Sequence, residues 1–216
     1  MKNDKRLQRK QLRYEQNKTF ILQTAEEVFV REGYTQANMD EIAEEAQFSK
    51  ATLYRYFRSK KELFLEIILS TLNELSQELE IILTKDLTAE DKLKEIISAI
   101  SLYSYRKKNI ARVFFMEKVM FQKHPEIMTP AKHPQLPPKL EEIIRKIAVI
   151  IRECISEGIT GGEFCEINVE DAAFVLGGMI RGFVFRGPFH EKEYSIEETT
   201  ELIHSIFLYG ISNKNK

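Results

Sequence analysis

The chain has 216 residues and a net charge of −1, with 43% hydrophobic and 30% charged residues, which is typical of a folded protein with a sizeable buried core. Charged residues interrupt every long apolar stretch, and the polar residues 1–18 lack the apolar segment of a secretion signal, so we expect a cytoplasmic protein without a membrane span. The cysteines and histidines stand at no metal-ligand spacing, and no phosphate-binding glycine loop or nucleophile motif occurs, so we expect no metal, no cofactor and no enzymatic activity.

Positive charge is concentrated at the start of the chain. Residues 1–61 carry a net charge of +4, and residues 62–216 carry a net charge of −5. Most of the positive excess lies in residues 1–17, which we expect to form a basic flexible arm. A basic arm on an acidic body favours a polyanionic partner, although solvated basic tails are also common.

Helical periodicity predicts three elements after the arm. A helix over residues 18–32 ends at Gly33, which permits the left-handed conformation of a helix end. Asn38 is a suitable N-cap for a second helix over residues 39–46, and Ser49 for a third over residues 50–57. Alanines on the second helix allow the close crossing of a helix-turn-helix, which we assign to residues 18–63.

The third of these helices carries an unusual set of outward side chains. Leu53 and Phe57 are predicted to face inward, which leaves these residues outside or on the rim: Lys50, Ala51, Thr52, Tyr54, Arg55 and Tyr56. Arginine and lysine can address guanine edges, and a threonine methyl can contact thymine. Tyrosine hydroxyls and Lys60 suit phosphate oxygens. The alternative is a helical hairpin whose tyrosines only pack.

This segment resembles the N-terminal domain of tetracycline-repressor-like regulators, the TetR family. The shared pattern comprises Gly33-Tyr34, Ile42-Ala43 with Ala46, Ser49, and the run from Leu53-Tyr54 through Tyr56-Phe57 and Lys60 to Leu63. The resemblance implies that Tyr54, Tyr56 and Lys60 hold the backbone of an operator. It further implies that Lys50, Ala51, Thr52 and Arg55 face the bases. The basic arm would reach a minor groove or raise non-specific affinity.

Two residues depart from the family pattern. Gln47 stands at the turn where the family usually has glycine, so the turn either uses another backbone geometry or holds a strained residue. Ala51 stands where glycine is frequent, and its methyl group could change which base is tolerated. The helix N-termini at Asn38 and Ser59 could direct backbone amides at phosphates.

Residues 64–216 are predicted to form a helical domain for ligand binding and dimerisation. A long helix over residues 59–83 joins it to the first domain, and further helices are predicted over residues 88–103, 109–123, 139–157, 168–186 and 195–209. Prolines interrupt the pattern over residues 124–138. The fold class is therefore all-α, with about nine helices.

The last two helices are candidates for a dimer interface. The helix over residues 168–186 is apolar almost all round, and Gly177, Gly178 and Gly182 would allow another helix to approach closely. In the resembling family these helices pair with their copies, and a palindromic operator requires two recognition helices about 34 Å apart. The alternative is that both helices belong only to the core of one chain.

A cluster of aromatic and methionine side chains could line a cavity for an apolar ligand. Its members are Tyr103, Phe114, Phe115, Met116, Met120, Phe121 and Phe174. The same residues could be ordinary core. Arg181 lies in a nearly all-apolar helix, where a buried guanidinium would need a partner, either an internal carboxylate or an anionic ligand such as a fatty acid.

The sequence as a whole predicts a DNA-binding transcriptional repressor that dimerises on a palindromic operator. A small apolar or amphipathic effector, such as a fatty acid or an acyl-CoA-like compound, would release it. The alternative is a regulator that has no small-molecule inducer and is switched by a protein partner. Cys154 and Cys165 are expected to be reduced, inert core thiols, with redox sensing as the alternative.

Overall fold

The computed structural model describes residues 2–106, 137–184 and 194–211, and these residues form eight α-helices without a strand. The helices are α1 (Lys2–Gln36), α2 (Met39–Glu45), α3 (Lys50–Tyr56), α4 (Lys60–Leu83), α5 (Ala89–Arg106), α6 (Pro138–Thr160), α7 (Val169–Val184) and α8 (Ile196–Ile211). The all-α prediction is confirmed. The helix predicted over residues 109–123 and nearly all of the proline-rich connector lie outside the described residues.

The described residues form two compact units, and the division between them along the chain falls within α4, between Ser70 and Thr71. The first unit contains α1 to α3 and the start of α4. The second contains the rest of α4 and α5 to α8. Helix α4 continues without interruption from Lys60 to Leu83, so no break in the helix marks the division between the units.

The first unit has the core that the periodicity predicted. One face of α1 from Ile21 to Phe29 is buried, and so are Leu53 of α3 and Phe57 at its C-cap. The rings of Phe29 and Phe64 meet edge to face at 5.3 Å between centroids, a favourable aromatic geometry. Tyr34 folds back beyond Gly33 and lies 5.7 Å from the Phe29 ring.

The expected flexible arm is instead helical, which corrects the sequence prediction. Helix α1 starts at Lys2, and its backbone has helical dihedrals up to Gly33, where φ is 79°. No glycine or proline precedes Gly33, and the residues of the arm are mostly good helix formers. Extending a helix that is already anchored by packing avoids the cost of nucleation, which explains why charge alone did not indicate the conformation.

The turn between α2 and α3 places a side chain in a conformation that favours glycine. Gln47 has φ of 57°. The N–H of Gln47 donates to the Glu44 carbonyl and the N–H of Phe48 to the Ala43 carbonyl, both at 2.9 Å. These two hydrogen bonds form a Schellman motif, which requires a left-handed residue where Gln47 stands. Gln47 stands where the family usually has glycine, and the turn holds it in a strained conformation rather than adopting another backbone geometry.

Capping residues fix the helix starts of the second unit. Asn168 Oδ1 accepts from the Asp171 N–H at 2.9 Å, and Ser195 and Glu198 form the reciprocal bonds of a capping box. Glu163, in the loop after α6, accepts from the N–H groups of Ala89 and Glu90 at 3.0 Å each. A distant carboxylate therefore completes the start of α5.

None of the helices in the described ranges combines the length and the apolar character that crossing a membrane requires.

Candidate nucleic-acid interface

Helices α2 and α3 begin at side-chain caps that hold their first turns. Asn38 Oδ1 accepts from the Glu41 N–H at 2.9 Å, and Ser49 Oγ accepts from the Thr52 N–H at 3.1 Å. Each cap leaves the N-terminal end of its helix at the surface, since both capping residues are exposed. The short helix α3 is thus held at its start by Ser49 and by the burial of Leu53 below it.

The outward face of α3 carries the predicted set of side chains. Lys50, Ala51 and Arg55 are exposed, and Tyr54 keeps 47% of its surface. Thr52 is half-buried, with its hydroxyl oxygen 2.8 Å from Ser49 Oγ. These side chains lie on the solvent side of α3, while its other side packs into the core. They therefore form one continuous, mostly polar surface.

Lys50 makes an ion pair in the free protein. Its Nζ lies 2.5 Å from Asp40 Oδ2, and both side chains are more than half exposed. Exposed pairs of this kind contribute at most about 1 kcal/mol, so a stronger anion can replace the carboxylate.

Tyr56 is held by the part of α1 that precedes the predicted domain. The Tyr14 ring stacks on the Tyr56 ring at 4.7 Å between centroids, and Asn17 Nδ2 donates to the Tyr56 hydroxyl at 3.2 Å. Because this hydroxyl accepts from Asn17, its own proton remains available to donate. Sequence reasoning missed both residues. The signal was Asn17 standing four residues before the buried Ile21, on the same face of a helix.

Lys60 makes contacts within the protein that its expected phosphate role did not include. Its ammonium donates to the carbonyls of Tyr34 at 2.6 Å, Thr35 at 3.1 Å and Ala37 at 2.7 Å, and it lies 4.7 Å from the centre of the Tyr34 ring. These carbonyls lie at the C-terminal end of α1 and just beyond it, where a helix leaves acceptors without partners. Lys60 therefore caps α1 and ties it to the start of α4.

A charged cluster joins α1 to α2 away from the outward face of α3. The guanidinium of Arg31 bonds to Glu45, Glu41 and the adjacent Glu32. The hydrogen bond from Arg31 lowers the pKa of Glu45, and its positive charge acts in the same direction. Since the groups are exposed, they fix the orientation of α2 more than they stabilise the fold.

The predicted ligand-binding residues are not brought together among the described residues. Phe114, Phe115, Met116, Met120 and Phe121 lie outside them. Tyr103 is half-buried against the core of the second unit.

Phe174 and Arg181 of α7 lie at the surface of the described chain. Phe174 keeps 73% of its surface and Arg181 is exposed, so the guanidinium is not buried as expected, and the ligand contacts of both residues stay predictions.

Helices α7 and α8 expose an apolar face instead. Their inner residues, including Leu176 and Ile203, are buried in the core, while Phe174, Val175, Ile206 and Tyr209 are exposed. The sequence of α7 is therefore apolar on all sides for two reasons: one face packs into the core, and another face is exposed to solvent. We name the four exposed residues the apolar face.

Cys154 is buried, and burial raises the pKa of its thiol to about 12. Within the described ranges no three His, Cys, Asp or Glu side chains are grouped to hold a metal ion.

Comparison with known families identifies two regions of the chain. Residues 21–67 match the model of bacterial regulatory proteins of the tetR family, and residues 101–213 match the C-terminal region of QacR-like proteins. The first match coincides with the capped helices and the polar surface of α3. These features define a DNA-binding transcriptional regulator with a helix-turn-helix, rather than an enzyme.

Relatives match over nearly the whole length. The fatty acid metabolism regulator protein of Bacillus subtilis is 25% identical over 90% of this chain and 95% of its own length. The transcriptional regulator QacR of Staphylococcus aureus is 26% identical over 89% and 96%. The structure of FadR from Bacillus subtilis in complex with stearoyl-CoA covers 89% of this chain and 98% of its own, with a TM-score of 0.71 and 23% identity. The chain belongs to the tetR family, with a QacR-like C-terminal region.

Proposed function

We propose that this protein is a homodimeric repressor that reads a palindromic operator through α3 and is released by a long-chain acyl compound. The observation that carries the DNA-reading part is the exposed face of α3, where Arg55, Tyr54 and Lys50 surround a helix anchored by Ser49. As a DNA-binding regulator it would act in the cytoplasm, where a bacterial chromosome lies.

Each side chain of α3 has a role that its geometry supports. Arg55 is suited to guanine edges, and Lys50 can exchange its weak pair with Asp40 for a base or a phosphate. The Thr52 hydroxyl is close to Ser49, which leaves its methyl group for a thymine contact. Tyr54 and Tyr56 suit phosphate oxygens, and Tyr56 donates while Asn17 occupies its acceptor side.

Base reading by Arg55 can be tested on an operator obtained by selecting wild-type protein against a random duplex library. Replacing Arg55 with Ala should weaken operator binding about tenfold or more, as loss of a bidentate hydrogen bond to a base does, and relax the preference at one base pair. Replacing Arg58, which is exposed just beyond α3, with Ala is the matched control. Equal losses in both variants would contradict base reading by Arg55.

Dimerisation is supported by the apolar face of α7 and α8. Four large apolar side chains exposed together are costly in water and typical of a contact with another protein surface. The exposed Gly178 and Gly182 on α7 would allow a second helix to approach closely. A symmetric pairing of these helices would provide the two recognition helices that a palindrome needs.

The dimer can be tested by charge insertion. The variant Phe174→Glu should be monomeric in sedimentation equilibrium and lose operator binding, because the carboxylate would be buried in the pair. Ile81→Glu, at a residue that is 62% exposed on α4, is the control and should stay dimeric. A dimeric Phe174→Glu variant would overturn this assignment.

The acyl effector is supported by the relatives rather than by the described residues. One relative is named a fatty acid metabolism regulator, and the FadR structure contains stearoyl-CoA. We therefore expect stearoyl-CoA to reduce operator affinity in fluorescence anisotropy, with acetyl-CoA as the matched control that keeps the headgroup. If neither fatty acids nor long acyl-CoA compounds change affinity or the melting temperature, the alternative regulator without a small-molecule inducer is favoured.

A further inference from the structure

The start of α1, from Lys5 to Arg13, buries no side chain. Every side chain from Lys5 to Gln16 is exposed, including Leu7 at 62% and Leu12 at 60%. A helix of this kind gains nothing from a core, and its helical form depends on continuity with the buried part of α1. The segment from Lys2 to Arg13 extends about 18 Å before Tyr14 makes the contact with Tyr56.

Positive side chains lie on one side of this segment. Arg6, Lys10 and Arg13 precede Asn17 by eleven, seven and four residues, the spacing of a single stripe along a helix. We name these three cations the basic stripe. Since Asn17 bonds to the Tyr56 hydroxyl, the basic stripe is on the side of α1 that faces the rim of α3.

The basic stripe is electrostatically uncompensated in the free protein. Arg6 and Lys10 stand four residues apart, as do Lys5 and Arg9, and such like-charge pairs destabilise a helix by a few tenths of a kcal/mol each. Within the described part of the chain, the three cations of the stripe have no ion pair with a carboxylate. A polyanion beside the helix would remove this repulsion.

We infer that the basic stripe binds the phosphate backbone of the DNA duplex that α3 contacts, as a second, sequence-independent element of the interface. This inference rests on the proposed DNA reading by α3. Tyr14 and Asn17 link the two elements, because they hold the helix that carries the stripe against Tyr56, itself suited to a phosphate. The arm therefore acts as a rigid helix rather than as a flexible tail.

The pattern of apolar residues argues against an anionic membrane as the partner. A helix that lies on a membrane needs one apolar face opposite its charges. Leu7 and Leu12 are five residues apart, which places them on different sides of α1, and Tyr14 is stacked on Tyr56.

The stripe can be tested with a 40-base-pair duplex of mixed sequence and with the selected operator. In the variant Arg6→Gln, Lys10→Gln, Arg13→Gln we expect both affinities to fall about tenfold or more at low salt. The slope of log affinity against log salt concentration should decrease in size by about 0.9 for each phosphate that the variant no longer neutralises. Base preference within the operator should be unchanged, since phosphate contacts carry no sequence information.

Three controls make the result specific. Lys139→Gln, Arg145→Gln, Lys146→Gln removes the same charge from the exposed surface of α6 and should leave the slope unchanged. The variant Arg6→Lys, Arg13→Lys keeps the charge and should retain the slope. Circular dichroism of each variant checks that α1 stays helical, because glutamine is itself a good helix former.

The outcomes separate this inference from the proposed function. An unchanged slope in the stripe variant, or an equal change in the α6 variant, would overturn the stripe while a loss in Arg55→Ala still supports reading by α3. Unchanged binding in Arg55→Ala together with a loss in the stripe variant would refute base reading by α3 and would still support the stripe. Binding of wild-type protein to phosphatidylserine vesicles, abolished by the stripe variant while DNA binding persists, would assign the stripe to a membrane instead.

Discussion

Replacing Lys60 with Met separates a structural role from a DNA-contacting role at one position. The substitution keeps an unbranched side chain that is one atom shorter but removes an ammonium that donates to three carbonyls at 2.6–3.1 Å. Hydrogen bonds from a charged donor contribute about 1.5–3 kcal/mol each. Because Lys60 is half-buried and water can reach part of the freed acceptors, we expect a total loss of about 2–3 kcal/mol in the free energy of unfolding.

Two measurements distinguish the roles. Urea unfolding followed by circular dichroism should show the loss of stability, and hydrogen exchange should show it in residues 34–60. The salt slope of DNA binding should be unchanged at a temperature where the variant is folded. A lysine that caps α1 contacts no phosphate, so its removal releases no additional counterions.

Lys61→Met is the matched control, because it removes the same charge from an exposed neighbour. It should change stability by less than about 0.5 kcal/mol. If Lys60→Met leaves stability intact and reduces the size of the salt slope by about 0.9 per protomer, the capping role would be refuted and the phosphate contact restored.

Three further predictions concern the turn, the core and the thiols. Gln47→Gly should raise the free energy of unfolding by about 0.5–1 kcal/mol, because relief of the left-handed strain exceeds the added chain entropy, whereas Gln47→Ala should give no gain in the same urea titration. Gly158→Ala should lower the melting temperature by several degrees, since the new methyl carbon would lie 2.2 Å from the Phe164 ring; a variant as stable as wild type would show that the ring moves freely. Cys154 should resist iodoacetamide at pH 8 until urea unfolds the protein, because its thiol has a pKa of about 12, and mass spectrometry that found rapid labelling of Cys154 in the folded protein would contradict this.

The local rules of helix formation accounted for most of the fold. The helix caps are hydrogen bonds between residues three positions apart, so a short stretch of sequence contains both partners. This holds for the caps at Asn38, Ser49, Asn168 and Ser195. The inward face of each helix of the helix-turn-helix followed from periodicity for the same reason. The polar face of α3 could be predicted because it is what remains when Leu53 and Phe57 are buried.

The errors came from interactions between distant residues. Lys60 reaches carbonyls more than twenty positions earlier, and no local pattern distinguishes such a cap from a lysine that contacts phosphate. Arg181 was expected to be buried because its neighbours are apolar, but an apolar helix with one face uncovered has the same sequence. The arm was expected to be flexible because it is charged, although continuity with α1 decides its conformation.

The loop after α6 has a consequence for how the second unit folds. Its turn uses Gly162 at φ of 75°, buries Phe164 against Gly158, and brings the Glu163 carboxylate to the first N–H groups of α5, more than seventy residues earlier. The end of α6 and the start of α5 are thus completed by the same few residues. Fraying of either helix end would disturb the Glu163 contact, so we expect the two ends to lose protection together in hydrogen exchange.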